Sequence, residues 1–334
     1  MRFPRPVLLS LLAALAFAGA ARAQPAPGPV PPDIQPLLDK PLYRFTEAEV
    51  GRYLAHLQTT MPDLRRRIVH LARKNLGQPY ELYLLGEMPF EAHDPQPLYS
   101  LAKSDCVVFA EHTYAMALSR DWTGFMRMLQ RIRYRDGRLG VATRNHFTEA
   151  DWNPSNAWLA RDITEEIGAG RTIRWAARID RAAFLQKRYQ LALAVPPEDH
   201  RNSYLPFAEL ARADAHLREG DFVNVVRGVV QPGAPVNDTF GGSVWVGHVG
   251  LVTRGPGGEL MMIHSAEPAV REETLAQFIA RETEKLAERD AAGRARLLGF
   301  KFLRLEENPW ANLRRLDGDR APRVTLPDGA PAGL

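Results

Sequence analysis

Residues 100–119 read SLAKSDCVVFAEHTYAMALS. After the polar start, Val107, Ala110, Tyr114 and Ala117 or Leu118 recur at helical spacing and bury one side of a predicted helix. Ser104 is a suitable N-cap, which puts Cys106 in the first turn. Cys106 is the only cysteine among 334 residues. A helix N-terminus carries unsatisfied N–H groups and a partial positive charge, and both favour thiolate over thiol. The neighbouring amides can also cradle an oxyanion. The competing reading is a small buried hydrophobe that only packs.

The chain opens MRFPRPVLLSLLAALAFAGAARAQ. Arg2 and Arg5 make a basic start, residues 7–20 are an apolar run too short to span a bilayer, and Ala21, Arg22 and Ala23 have the small-x-small pattern of a cleavage site. The reading is a signal peptide over residues 1–23, cleaved after Ala23, with export to the periplasm; the rivals are a membrane anchor or a buried helix. No cysteine lies near the cleavage site to carry a lipid, and no second long apolar run follows, so no membrane anchor is expected after cleavage. A lone thiol in an oxidising compartment is a liability, and catalysis is one reason to keep it. Removing the leader takes Arg2, Arg5 and Arg22 and no acid. The net charge of +4 then falls to about +1, with 40 basic against 39 acidic side chains. That balance gives no ground for a nucleic-acid partner. With 45% hydrophobic residues, the roughly 310 mature residues can build one large domain or two, and a monomer is expected.

Residues 24–42 read as a Pro-rich linker, residues 43–306 as the catalytic domain and residues 307–334 as a loose tail. Thr46 with Glu49 three residues on is a capping box that starts a helix. Residues 62–77 form a second helix stopped by Gly77, and residues 121–132 a fourth, with Trp122, Phe125, Leu129 and Ile132 on one face. After Asp221 the texture changes. DFVNVVRGVV, VWVGHVGLVTR, ELMMIHSA and GFKFLRL are short, rich in Val, Leu, Ile and Phe, and read as strands, with a helix over 274–293. Helices first and an antiparallel sheet later make an α+β layout.

A thiol nucleophile needs a base, and the base needs an orienting group. Of nine histidines, His56 and His70 sit on early helices, and His112, six residues past Cys106, points to another side of its helix. His248 begins a strand of apolar and small residues, with Gly247 and Gly250 leaving room beside it. His264 closes the next strand. If residues 253–259 turn as a hairpin, the two imidazoles lie side by side on one sheet face. Cys106, His248 and His264 are also a conceivable zinc set, but no HExxH motif supports it; neither metal nor cofactor is expected.

GQPYELYLLGE, SDCVVFAE, GDFVNVVR, GHVGLVTR and ELMMIHSA resemble the NlpC-type, papain-like cysteine hydrolases of bacterial cell walls. With IRYRDG, RNHFTEADW and ITEEIG, the set is similar to one branch, the N-acetylmuramoyl-L-alanine amidase-like family, over roughly residues 43–305. The resemblance implies a helix-borne nucleophile packed on a C-terminal antiparallel sheet. It makes Cys106 the nucleophile, His248 the base, His264 (with Ser265 as the other choice) the third member, and Tyr80 the active-site tyrosine. It implies hydrolysis, through a thioester, of the amide between N-acetylmuramic acid and L-alanine in small muropeptides. A stem-peptide endopeptidase and a non-catalytic peptidoglycan-binding module are the alternatives. Arg144, His146, Asp151, Trp152 and Asn156 cluster within a dozen residues; they form either a pocket wall for sugar or carboxylate, or a hydrogen-bonded knot around Trp152. The stretch 228–245 is longer and richer in Gly and Pro than a strand connection needs, as a lid would be.

Overall fold

The computed structural model describes residues 29–228, 244–287 and 296–318. The predicted leader (1–23), the start of the linker, most of the 228–245 stretch, the end of the predicted helix 274–293 and the last sixteen residues lie outside them.

Four helices precede the sheet: α1 (Glu47–Thr60), α2 (Leu64–Lys74), α3 (Cys106–Ala117) and α4 (Trp122–Arg133). Their starts follow from their capping side chains. The Thr46 hydroxyl accepts from the Glu49 amide while the Glu49 carboxylate accepts from the Thr46 amide, so two orphan donors are satisfied at once. Asp63 and Asp121 cap α2 and α4 through the amides of Arg66 and Gly124. On α3 the cap is Asp105, accepting from Val108 N–H at 2.8 Å, and not the expected Ser104. The shift makes Cys106 the first helical residue.

The chain then threads a short π-turn (Thr148–Trp152), α5 (Asn153–Ser155), β1 (Ala160–Asp162), α6 (Thr164–Gly168), β2 (Ile173–Ile179), α7 (Arg181–Tyr189), β3 (Glu198–Pro206) and α8 (Leu210–Asp214). It closes with β4 (Phe222–Gly228), β5 (Val244–Arg254), β6 (Leu260–Ala266), β7 (Ala269–Thr274), α9 (Leu275–Ala287), β8 (Arg296–Leu305) and α10 (Pro309–Asp317). The strands form one antiparallel sheet in the order β2-β3-β8-β4-β5-β6-β7, with β1 also on β8. The result is a mixed α+β fold. Strands β1, β2, β3 and β7 were not expected. β2 and β3 pair in register from Ile173↔Tyr204 to Ile179↔Glu198, yet their sequences are too charged to read as core strands.

The four early helices cover one sheet face: Phe109, Tyr114 and Phe125 pack with Val249, Leu251 and Ile263. Phe278 of α9 packs with Val252, Met262 and Phe300 in a second cluster. Part of the predicted linker belongs to the core, since Ile34, Leu37 and Leu42 are buried there. The predicted tail begins with ordered helix α10, whose Leu313 is also buried: each segment carries enough apolar surface to dock.

Asp221 ties the layers together. Fully buried, its carboxylate accepts from Arg65 of α2 (2.8 Å), Arg304 of β8 (2.9 Å) and the amides of Arg218 and Leu305. One residue earlier, Gly220 O accepts from the Tyr114 hydroxyl of α3 at 2.9 Å. Asp221→Ala leaves two guanidinium groups without their carboxylate and is expected to cost about 3–5 kcal/mol, read by chemical denaturation.

Candidate active site

Cys106 enters the sheet where two strands part. The last registered β5–β6 pair is Leu251↔Ile263; continued, the register would set Val249 opposite Ser265. The loop before α3 fills that place instead. The Ser265 hydroxyl donates to Ser104 O (2.8 Å), and the Ser104 hydroxyl is within 3.0 Å of Ser265 Oγ and 2.8 Å of Gln78 Oε1. The Val249 N–H is turned to the Cys106 sulfur. Ser104 and Ser265 therefore brace the loop that carries Cys106.

His248 and His264 lie together as their strands predict. His248 Nε2 is 2.7 Å from His264 Nδ1, and His264 Nε2 is 2.8 Å from Glu273 Oε1. A carboxylate only accepts, so His264 donates from Nε2 and accepts at Nδ1 from His248 Nε2–H. His248 Nδ1 is left free to take a proton. Glu273 is the member that sequence reasoning missed. It stands on β7, opposite Met262, in a run too polar to suggest a buried strand; the sign that could have found it is period-2 spacing from Arg271 in REET, next to a histidine-bearing strand. Phe278 lies parallel to the His248 ring (6.1 Å, 12°) and edge-on to His264.

The electrostatics overturn one expectation. Burial first, then the Asp105 carboxylate, push the Cys106 thiol up to about 12, against the opposing amides of Val249, Val107 and Cys106. The helix N-terminus is outweighed, and Cys106 rests as a thiol. Burial, then His264 and nearby arginines, hold His248 well below 6.5, and burial lowers His264; both imidazoles rest neutral. Burial would raise Glu273, but the hydrogen bonds from His264 and Arg281 win and hold it at about 2. Tyr80, whose backbone bridges Ser104, is raised above 10 by burial and then by Cys106 and Asp105, so it stays a phenol able to donate.

The five middle residues turn inward. Trp152 is 1% exposed, bonds Glu111 Oε1 through Nε1 (3.1 Å) and packs on Phe222 at 4.5 Å. Arg144 is buried against Glu87 (Nε to Oε1, 2.7 Å) and Asp94 (3.0 Å). Asp151 accepts from Arg181 and from the Phe147 amide, Asn156 donates to Ile132 O and Trp152 O, and His146 bonds Val141 O. Arg144, Asp151, Trp152 and Asn156 are buried and His146 is partly so, and the bonds given above for all five run within the protein.

The fold is shared with a crystal structure from Legionella pneumophila str. Philadelphia 1, of family-model DUF1460. It is 20% identical, with a TM-score of 0.64 over 77% of this chain and 94% of that one. It is also shared with an N-acetylmuramoyl-L-alanine amidase from Bacteroides uniformis, 20% identical, TM-score 0.52, over 73% of this chain and 99% of that one. Residues 70–283 match the AmiA-like family model, described as N-acetylmuramoyl-L-alanine amidase-like, and the chain belongs to that family. No curated protein matches.

Two outcomes check this site. With a thiol near 12, alkylation of Cys106 by iodoacetamide should accelerate about tenfold per pH unit between pH 7 and 9; a flat rate would mean a resting thiolate. A Cβ at Gly250 would fall 2.6 Å from Met262 Cγ and 3.1 Å from His264 Cβ, so Gly250→Ala should displace His264 and lower kcat/KM by about 100-fold while costing about 1–3 kcal/mol in stability.

Proposed function

We propose that the protein is an NlpC-type cysteine hydrolase that cuts the amide between N-acetylmuramic acid and L-alanine in small peptidoglycan fragments. One observation carries the reading: the chain's lone thiol, at the start of α3, takes the amide of the residue after His248, and His248 heads a chain through His264 to Glu273. Family membership supports the substrate class.

Attack of Sγ on the amide carbonyl carbon is coupled to transfer of the thiol proton to His248 Nδ1. The Tyr80 hydroxyl and the first amides of α3 are the donors available to the developing oxyanion. His248 returns the proton to the nitrogen as the C–N bond breaks, which releases the peptide and leaves a thioester. Water then attacks the thioester carbon and gives a proton to His248. The departing sulfur is reprotonated, and the acid is released. His264 and Glu273 hold the His248 ring and offset its transient charge.

Cys106→Ala is expected to abolish turnover while the protein stays folded, and His248→Ala to do equal damage; Glu273→Gln should lower kcat by about 10–100-fold. His248 is depressed below 6.5, so it is neutral and able to accept a proton at all pH values above its lowered pKa. The acid limb of kcat/KM should therefore lie below pH 6.5 in wild type and move to still lower pH in Glu273→Gln, where the carboxylate that favours the charged imidazole is gone; an acid limb that stays in place would show that Glu273 does not act on His248. Mass spectrometry of muropeptide digests tests the bond: intact peptide freed from sugar supports the amidase, a dipeptide left on the sugar would replace it with an endopeptidase, and loss of activity on chelation restored by zinc would sink the thiol mechanism.

A further inference from the structure

With Arg144 and Trp152 buried, substrate recognition has to come from elsewhere, and the rim of the site offers one candidate. Tyr83 is 68% exposed, three residues beyond Tyr80, with a positive φ of 56° that non-glycine residues rarely adopt. Its amide faces the Asp105 carboxyl, and its phenol lies close enough to Tyr80 to raise that group. The ring therefore borders the Cys106 end of α3. Over it stands Arg188 from the last turn of α7, its guanidinium carbon 4.7 Å from the ring centroid and 5.8 Å from that of Tyr189. The other arginines of this flank are paired: Arg144 with Glu87 and Asp94, Arg178 with Asp199, Arg181 with Asp151 and Glu198. Among the described residues Arg188 has tyrosine rings and no carboxylate partner, and it is exposed.

We propose that Tyr83 and Arg188 form a carboxylate subsite beside the nucleophile, which selects substrates whose peptide carries a free acid over those in which it is amidated; this rests on the hydrolase reading above. A guanidinium stacked on an aromatic face is oriented without using its N–H fork, and that fork matches a carboxylate bidentately. A sugar is disfavoured as the occupant because the arginine already covers one face of Tyr83. The strained Tyr83 backbone fixes the ring under the guanidinium and adjacent to the Asp105 cap, so a carboxylate held there is placed relative to Cys106.

The test compares two muramoyl peptides that differ only in a free carboxylate or a carboxamide on the second residue. Wild type should favour the acid in kcat/KM by about tenfold, as one charge-assisted pair at an exposed site provides. Arg188→Gln should erase that preference, mostly through KM on the acid, and Tyr83→Leu should weaken it in part, with melting temperatures unchanged. A preference that survives Arg188→Gln, or an equal loss on both substrates, overturns the subsite. If wild type cleaves neither peptide, the hydrolase reading is what fails; calorimetry of both peptides on wild type then decides the subsite, tighter binding of the acid supporting it and equal binding overturning it.

Discussion

The site depends on a fork in a sheet. β5 and β6 are paired through Leu251 and Ile263 and then separate, and the space between them admits the loop that starts α3. Antiparallel strands that part leave N–H and C=O groups without ladder partners, and buried backbone groups must be satisfied. Here the loop supplies the partners: Ser104 O takes the Ser265 hydroxyl, and the Cys106 sulfur meets the Val249 amide. Closing the fork would bury the strands against each other and expel Cys106. The Asp221 clamp and the Tyr114–Gly220 bond hold α3 at the depth where the fork is filled.

Two electrostatic effects compete at Cys106. A helix N-terminus is worth fractions of a kcal/mol to about 2 kcal/mol in favour of an anion, whereas loss of water around a thiolate, with the Asp105 carboxylate one residue away, costs more. The resting state is therefore a neutral thiol and a neutral imidazole, and under the proposed mechanism the proton moves during the reaction. Glu273 acquires its importance from this. A neutral imidazole that becomes charged midway through a reaction needs a compensating charge already in place, and a carboxylate held at about 2 is always ionised.

Much of this was legible in the sequence, where local chemistry and pattern agree. The Thr46–Glu49 capping box marks one helix start, and the apolar runs of β4, β5, β6 and β8 mark strands, so the two histidines could be set side by side from their strand positions. Legibility ended where charge masked burial. The polar β7 hid Glu273, and the arginine-rich β2 hid a strand. The cluster at 144–156 reads equally as pocket or knot, because Arg, Asp, Trp and Asn serve both purposes; only their partners distinguish the two, and Glu87, Glu111 and Arg181 come from distant parts of the chain. The cap of α3 was misplaced by one residue because Ser104 and Asp105 have equal propensity, and the choice is made by Ser265, 161 residues away.

The protonated resting thiol has a consequence for chemical durability. Thiolates, not thiols, are what peroxides and disulfides consume, and burial pushes the Cys106 thiol up to about 12. An unpaired sulfur kept in this protonated state reacts slowly with oxidants. The chain can hold a single cysteine because the burial that makes its sulfur a reluctant nucleophile also makes it a reluctant target.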